Sequence, residues 1–277
     1  MSSLLDNPGM QAGVVPFLVA LVLGLLLART RYLVAAVASG VPVLLYLTIG
    51  FALEPMTSVR KLIVVTLTAS ALALILEAAA VSARRQSIAA LAVASGLAAI
   101  WVVLRILEQK DVGPAFFAAL AVFAFVLALV GGTLVCADHP LRASVIGACL
   151  GWGSGALAVL GASALLGQLG IALGTACAAA ALAQMLRGQR AASGWTVGLP
   201  ASVGAALVGV LAVVTGELRL HFLLPLLLVA FAVRLIPADG PRRPWQYAFL
   251  AGLAGLVPVI VAVGWAWASA RAATSAG

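Results

Sequence analysis

Apolar positions in this chain do not alternate with polar ones; they run on. From Ala143 to Leu186 there are 44 residues without one Asp, Glu, Lys, Arg or His. A helix rises about 1.5 Å per residue, so this stretch would be roughly 66 Å long against a hydrocarbon core of about 30 Å and has to cross a bilayer twice. The reversal is expected at Leu166-Gly167-Gln168-Leu169-Gly170, where two glycines and an amide supply turn chemistry. Comparable runs, parted by charges, Gly or Pro, recur from end to end. They predict helices at about 13–28, 33–52, 62–81, 88–107, 115–136, 143–165, 170–186, 195–215, 220–236 and 246–268. The expected fold class is all-α: a polytopic transmembrane bundle of about ten spans, forming a single integral membrane domain over residues 1–277.

Composition narrows the function classes. Hydrophobic residues make up 64% of the chain and charged residues 9%, where soluble domains carry about a quarter charged. Mean hydropathy is +1.20. No polar interval is long enough to hold a soluble catalytic or nucleic-acid-binding module. The net charge of +8 comes from basic residues scattered through the connections, which fits membrane topology and not a nucleic-acid partner.

That scatter predicts an orientation. Connections after odd-numbered helices hold ten basic residues, among them Arg29, Arg84, Arg85, Arg142, Arg187, Arg190, Arg242 and Arg243, against six elsewhere. The positive-inside rule then places the odd connections in the cytoplasm and both termini outside, in a bacterial plasma membrane. Trp195 and Trp245 open their helices and Trp265 and Trp267 close the last one, all at belt positions. The first eleven residues have Asp6 but no Lys or Arg, so the first apolar run is expected to be a retained helix and not a signal peptide.

Shifting the chain by 158 residues superimposes Arg29 on Arg187, Pro42 on Pro200, Lys61 on Arg219 and Arg84-Arg85 on Arg242-Arg243. A parallel four-plus-four repeat, 13–110 and 171–268 joined by helices 5 and 6, would follow, and transporters commonly carry repeats.

Chemistry-bearing residues are few. Glu77 is the one acid placed within a predicted span, and Arg234 falls at the same depth under the shift. The two are candidates for an ion pair or a substrate site, since ionisable groups in hydrocarbon are costly. Pro42, Pro200 and Pro258 are helix-break candidates, because a proline frees a carbonyl that a solute could use. Pro225 also lies within a span. Gly147, Gly151 and Gly155 stand four apart, as do Gly170 and Gly174. They predict close helix packing between helices 6 and 7, or a face for a membrane-protein partner or a homodimer. Gly153, about 160° round the helix from Gly151, is expected to tolerate a larger side chain better.

Trp152-Gly153-Ser154-Gly155 is similar to the Gly-x-Ser-Gly of rhomboid intramembrane proteases, with Trp at the first glycine and neither His139 nor His221 at Ser154's depth. No catalytic residue is therefore expected. Cys136, Cys149 and Cys177 have no metal or redox spacing, and Cys136, Asp138 and His139 alone do not make a closed site, so neither metal nor cofactor is expected. In size and helix count the chain resembles the drug/metabolite transporter superfamily, whose termini are cytoplasmic. The function expected is a secondary transporter or permease for a small or amphipathic, lipid-like solute, the bilayer being its surroundings. The alternative is a non-transporting subunit, scaffold or assembly factor of a larger membrane complex.

Overall fold

The computed structural model describes residues 7, 9–27, 29–48, 56–79, 84–188, 194–216, 218–238 and 243–275. Among them are ten longer helical segments, a 3₁₀ turn at Arg31–Leu33 leading into the second, and no strands: α1 (Met10–Leu27), α2 (Val34–Thr48), α3 (Ser58–Ala78), α4 (Arg84–Leu107), α5 (Val112–Cys136), α6 (Pro140–Gly161), α7 (Ala164–Arg187), α8 (Gly194–Thr215), α9 (Leu220–Arg234) and α10 (Pro244–Ser275). Eight are long and apolar enough to cross a membrane; α2 and α9 are shorter. The chain is a multi-pass helical membrane protein.

Local chemistry sets several boundaries. Pro140 opens α6, where its missing N–H would be unpaired anyway. Ser163 starts α7: its Oγ accepts from Leu166 N at 3.2 Å. Gly188, at φ +74°, follows its end with a backbone that side chains disfavour. The reversal between α6 and α7 is therefore at Ala162–Ser163, before the expected Leu166–Gly170 segment, which is helical. Gly167 and Gly170 serve close packing instead of a turn.

The segment from Leu220 to Leu228 is a 3₁₀ helix, continued by an α-turn through Arg234. Pro225 sits inside it. In an α-helix its ring would crowd the carbonyl four residues back, whereas the tighter helix avoids that contact. By contrast, α2, α8 and α10 run unbroken through Pro42, Pro200 and Pro258. These three prolines are not helix breaks. Neighbouring helices in a membrane bundle tolerate the freed carbonyls.

The centre is α6, α7 and α8. Helix α8 is apolar on every side and 89% of its span is buried, against 22% for α1. Helices α1 and α2 pack on α7, α3 and α5 on α8, and α9 and α10 on α6, while α4 pairs with α5. The 158-residue shift would equate peripheral α1 with central α7, so the halves it relates occupy different environments. Leu18, Val22 and Leu26 on α1 and Phe116, Phe117 and Leu120 on α5 are exposed, as side chains facing lipid tails are.

Helix ends meet in a consistent way. Arg29 Nε donates to Arg187 O at 3.1 Å, joining the ends of α1 and α7. Arg234 Nη1 donates to Val135 O at 3.0 Å, joining the ends of α9 and α5. At the opposite end of the bundle Gly216, before α9, lies against the backbone of Gly161 and Ala162 in the α6–α7 turn.

Candidate functional site

The small-residue faces of α6 and α7 lie directly on one another. A Cβ placed on Gly151 would sit 2.5 Å from Gly174 N and 2.9 Å from Gly170 O, and one on Gly155 would sit 2.8 Å from Gly167 O. Gly147 is equally tight, facing Ala201 and Cys177. Such approach lets backbones pack where any side chain would hold them apart. Gly153 does not look into open lipid: a Cβ there would lie 2.8 Å from Leu226 Cδ2 and 3.1 Å from Val259 Cγ2. Gly153 is thus enclosed as well, but by side-chain tips and not by backbone, so its expected advantage over Gly151 is one of degree.

Because α7 and α10 both pack on α6 and scarcely on each other, a groove runs between them. One half, of about 370 Å³, lies among Ala148, Cys149, Trp152, Met185, Trp245 and Gly252. The other, of about 700 Å³, lies among Trp152, Val159, Ile171, Ile260, Gly264 and Trp267. The two meet at Trp152, whose indole leans over Gly174, where a Cβ would be only 2.5 Å from it. From Trp245 to Trp267 the groove follows α10 for about 33 Å, close to the thickness of a hydrocarbon core. Its walls are almost wholly apolar, and Gly252 and Gly264 open onto it with no atom within 4 Å of a would-be Cβ.

Leu160 also borders a separate pocket of about 450 Å³ between the end of α6, the start of α9 and another side of α10, with a mixed polar lining that includes Arg219, His221 and Ser269. An aromatic cluster shapes it: the His221 ring lies 4.1 Å from Phe222 and 5.0 Å from Trp265. Arg271 sits over the Trp267 ring at 3.8 Å, a cation–π contact at the same end.

At the far end is the site that sequence reasoning missed. Arg142, buried in the first turn of α6, donates from Nε to Tyr247 Oη at 2.9 Å, from Nη1 to Asp138 at 2.5 Å and from Nη2 to Ile236 O at 3.3 Å. One guanidinium thus ties α6 to the start of α10 and to the α9–α10 connection. Asp138 four residues before Arg142 was a legible pairing, but Tyr247, 105 positions away, was not.

The remaining candidates are dispersed. Glu77 is half-buried in the last turn of α3, at its very end and not deep in a span. Arg234 is exposed and turns to Val135 O; it does not meet Glu77. The 158-residue alignment placed them together, but α3 packs with α2, α4 and α8, whereas α9 packs with α5, α6 and α10. Gln184 is buried against Ser144 at 2.7 Å in the α6–α7 contact and lines no path. Ser154 donates to Gly151 O at 3.2 Å within its own helix. Thr66, Ser70, Ser95 and Ser202 do the same to carbonyls four residues back, which uses up their donors.

A second apolar groove, of about 370 Å³, lies between α3 and α4 over α8. Lys61 stands toward one end of it, with Nζ 3.0 Å from Trp101 O and 4.8 Å from the Trp101 ring. No family model, no curated protein and no solved structure matches this chain.

Proposed function

We propose that the protein is a carrier or permease for an amphipathic, lipid-like molecule that moves along the α6–α7–α10 groove. The observation that carries this reading is a pair of apolar clefts between α7 and α10 that share Trp152 and together extend along α10 about as far as the bilayer core is thick. Each falls in the range of about 300–1,000 Å³ common for ligand sites. A hydrophilic solute would need polar groups along the bundle interior, and the buried hydroxyls of Thr66, Ser95 and Ser202 are bonded within their own helices. Reconstituted in vesicles, the purified protein should speed exchange of a fluorescent phospholipid between leaflets above the protein-free rate. No acceleration, together with a stoichiometric protein partner on purification, would favour a non-transporting subunit.

In this reading all ten segments cross. Nine 3₁₀ residues at about 2.0 Å and six α residues at about 1.5 Å carry α9 roughly 27 Å, near the core thickness. The meeting of its two ends with opposite ends of α6 supports this. For α2 the support is its course along α7, with Ala36 beside Gly24, which faces Ala183 and Ala180, and then Gly40 beside Ala176 and Ala172. The bias of basic residues among the connections supports an orientation with Arg29, Arg142 and Arg187 in the cytoplasm of a bacterial cell and both termini outside.

Orientation is tested by thiol accessibility. In a background without Cys136, Cys149 and Cys177, single cysteines at Arg85, Arg190 and Arg243 should resist an impermeant reagent in intact cells, and cysteines at Glu54 and Glu217 should react. The reverse pattern would turn the protein over.

A further inference from the structure

We infer that the indole N–H of Trp152 is the donor that holds a lipid in the α6–α7–α10 groove, donating to an acyl ester carbonyl of a glycerolipid at mid-depth; this rests on reading that groove as an amphiphile path. Trp152 is the residue that the two clefts share. In α6 (Pro140–Gly161) it lies about 18 Å from one end and about 14 Å from the other, at about 1.5 Å per residue. The pyrrole edge of its indole rests on Gly174, where a Cβ would lie 2.5 Å from Cδ1 and 2.9 Å from Nε1. A side chain at that position would cover the nitrogen or displace it. Nε1 makes no hydrogen bond with the described residues and is not wholly enclosed by them. All of α6, α7 and α10 are among those residues, so no helix that walls the groove accepts from it.

An indole nitrogen can only donate. Buried tryptophans usually find a partner for it, and in membranes they gather at the interfaces, where headgroups and water supply one. Trp245 and Trp267, the other tryptophans of the clefts, stand at the two ends in that way. Trp152 stands midway, where hydrocarbon supplies no acceptor and an unmet donor is costly. The thiol of Cys149, the remaining side-chain donor of the clefts, is directed to Gly252 O at 3.8 Å. A ligand that satisfies Trp152 therefore carries an acceptor with apolar surface on both sides of it. Its source follows from where the groove opens. Phe249, Ile260 and Trp267 on the rim are exposed, so entry is sideways from the bilayer, whose lipids carry acyl ester carbonyls next to their chains. Such a carbonyl is uncharged and enters apolar walls without the cost of burying a charge.

Competition binding to the purified protein in detergent tests this, with a fluorescent-tailed diacylglycerol as probe. The competitors are a diacylglycerol and a dialkylglycerol of equal chain length, which share the glycerol and the chains and differ in the carbonyls alone. One neutral hydrogen bond corresponds to about fivefold in affinity. Wild type should prefer the diacyl lipid by about that factor. Trp152→Phe keeps an aromatic ring at the junction and removes the N–H, so it should abolish the preference. Trp195→Phe, on α8 and outside the groove lining, should leave it intact. Melting curves check that each variant is folded, and the wild-type comparison needs no variant. Equal competition by the two lipids in wild type, or a preference that survives Trp152→Phe, would overturn the assignment. Gly264→Leu separates this from the groove reading. If it weakens both lipids while they compete equally in wild type, only the Trp152 assignment fails. If it weakens neither, the groove itself is not their site.

Discussion

Gly151→Ala should lower the melting temperature of the purified protein, and Gly151→Leu should prevent folded protein from accumulating. Alanine is the better helix former by about 0.5–1 kcal/mol, so helix propensity alone would predict the opposite sign. The cost comes from the partner helix. A Cβ at Gly151 would lie 2.5 Å and 2.6 Å from Gly174 N and Cα, and backbone cannot rotate away as a side-chain tip can. Overfilling a packed interior costs about 1–3 kcal/mol even where neighbours can adjust. Two controls isolate this cause. Gly252→Ala meets no atom within 4 Å and should be neutral or slightly stabilising. Gly153→Ala meets the tips of Leu226 and Val259 and should fall between. Equal melting temperatures for the Gly151 and Gly252 variants would remove the claim that α6 and α7 are joined backbone to backbone.

The second large effect is expected at Arg142. Removing one partner from a fully buried ion pair costs about 3–5 kcal/mol. Here the figure falls toward its lower end, because the Asp138 side chain is 44% exposed and water can solvate it once it is alone. Arg142→Met keeps the stem and removes the charge, so its loss reports the hydrogen bonds to Tyr247, Asp138 and Ile236 together. Tyr247→Phe deletes a single acceptor and leaves a buried guanidinium N–H without its partner, which costs about 1–3 kcal/mol. The order Arg142→Met worse than Tyr247→Phe, with wild type most stable in thermal unfolding, is the expected result. A Tyr247→Phe variant as stable as wild type would show that the contact does not hold α10 to α6.

Helix positions were legible to within a few residues wherever an apolar run ended in a charge or a proline. Arg84 and Leu107 bound α4 and Pro140 opens α6 for such reasons. The α6–α7 turn was misplaced because glycine has two uses: Gly167 and Gly170 looked like turn residues and prove to be contact surface, while Ser163, the true cap, is a single weak signal. The 3₁₀ form of α9 could not be read from Pro225 alone, because a proline's effect depends on whether neighbours let an α-helix persist, as they do at Pro42, Pro200 and Pro258. Long-range pairings were out of reach. The expected Glu77–Arg234 contact rested on an alignment of loop charges, which carries no information on which helices touch. The Arg142–Tyr247 bond joins positions 105 apart that no periodicity connects. The groove was invisible for the same reason, since it exists only because α7 and α10 share α6 without meeting.

The central claim is that an amphipathic molecule travels along that groove, and plugging it is the most direct test. Gly252 and Gly264 both face the cleft with room to spare, so Gly252→Leu with Gly264→Leu should fill it and leave the fold intact. The measurement is leaflet exchange of a fluorescent phospholipid in reconstituted vesicles, with thermal unfolding of each preparation beside it. The account predicts an unchanged melting temperature and exchange reduced to the protein-free rate; exchange in the plugged variant as fast as in wild type would contradict it.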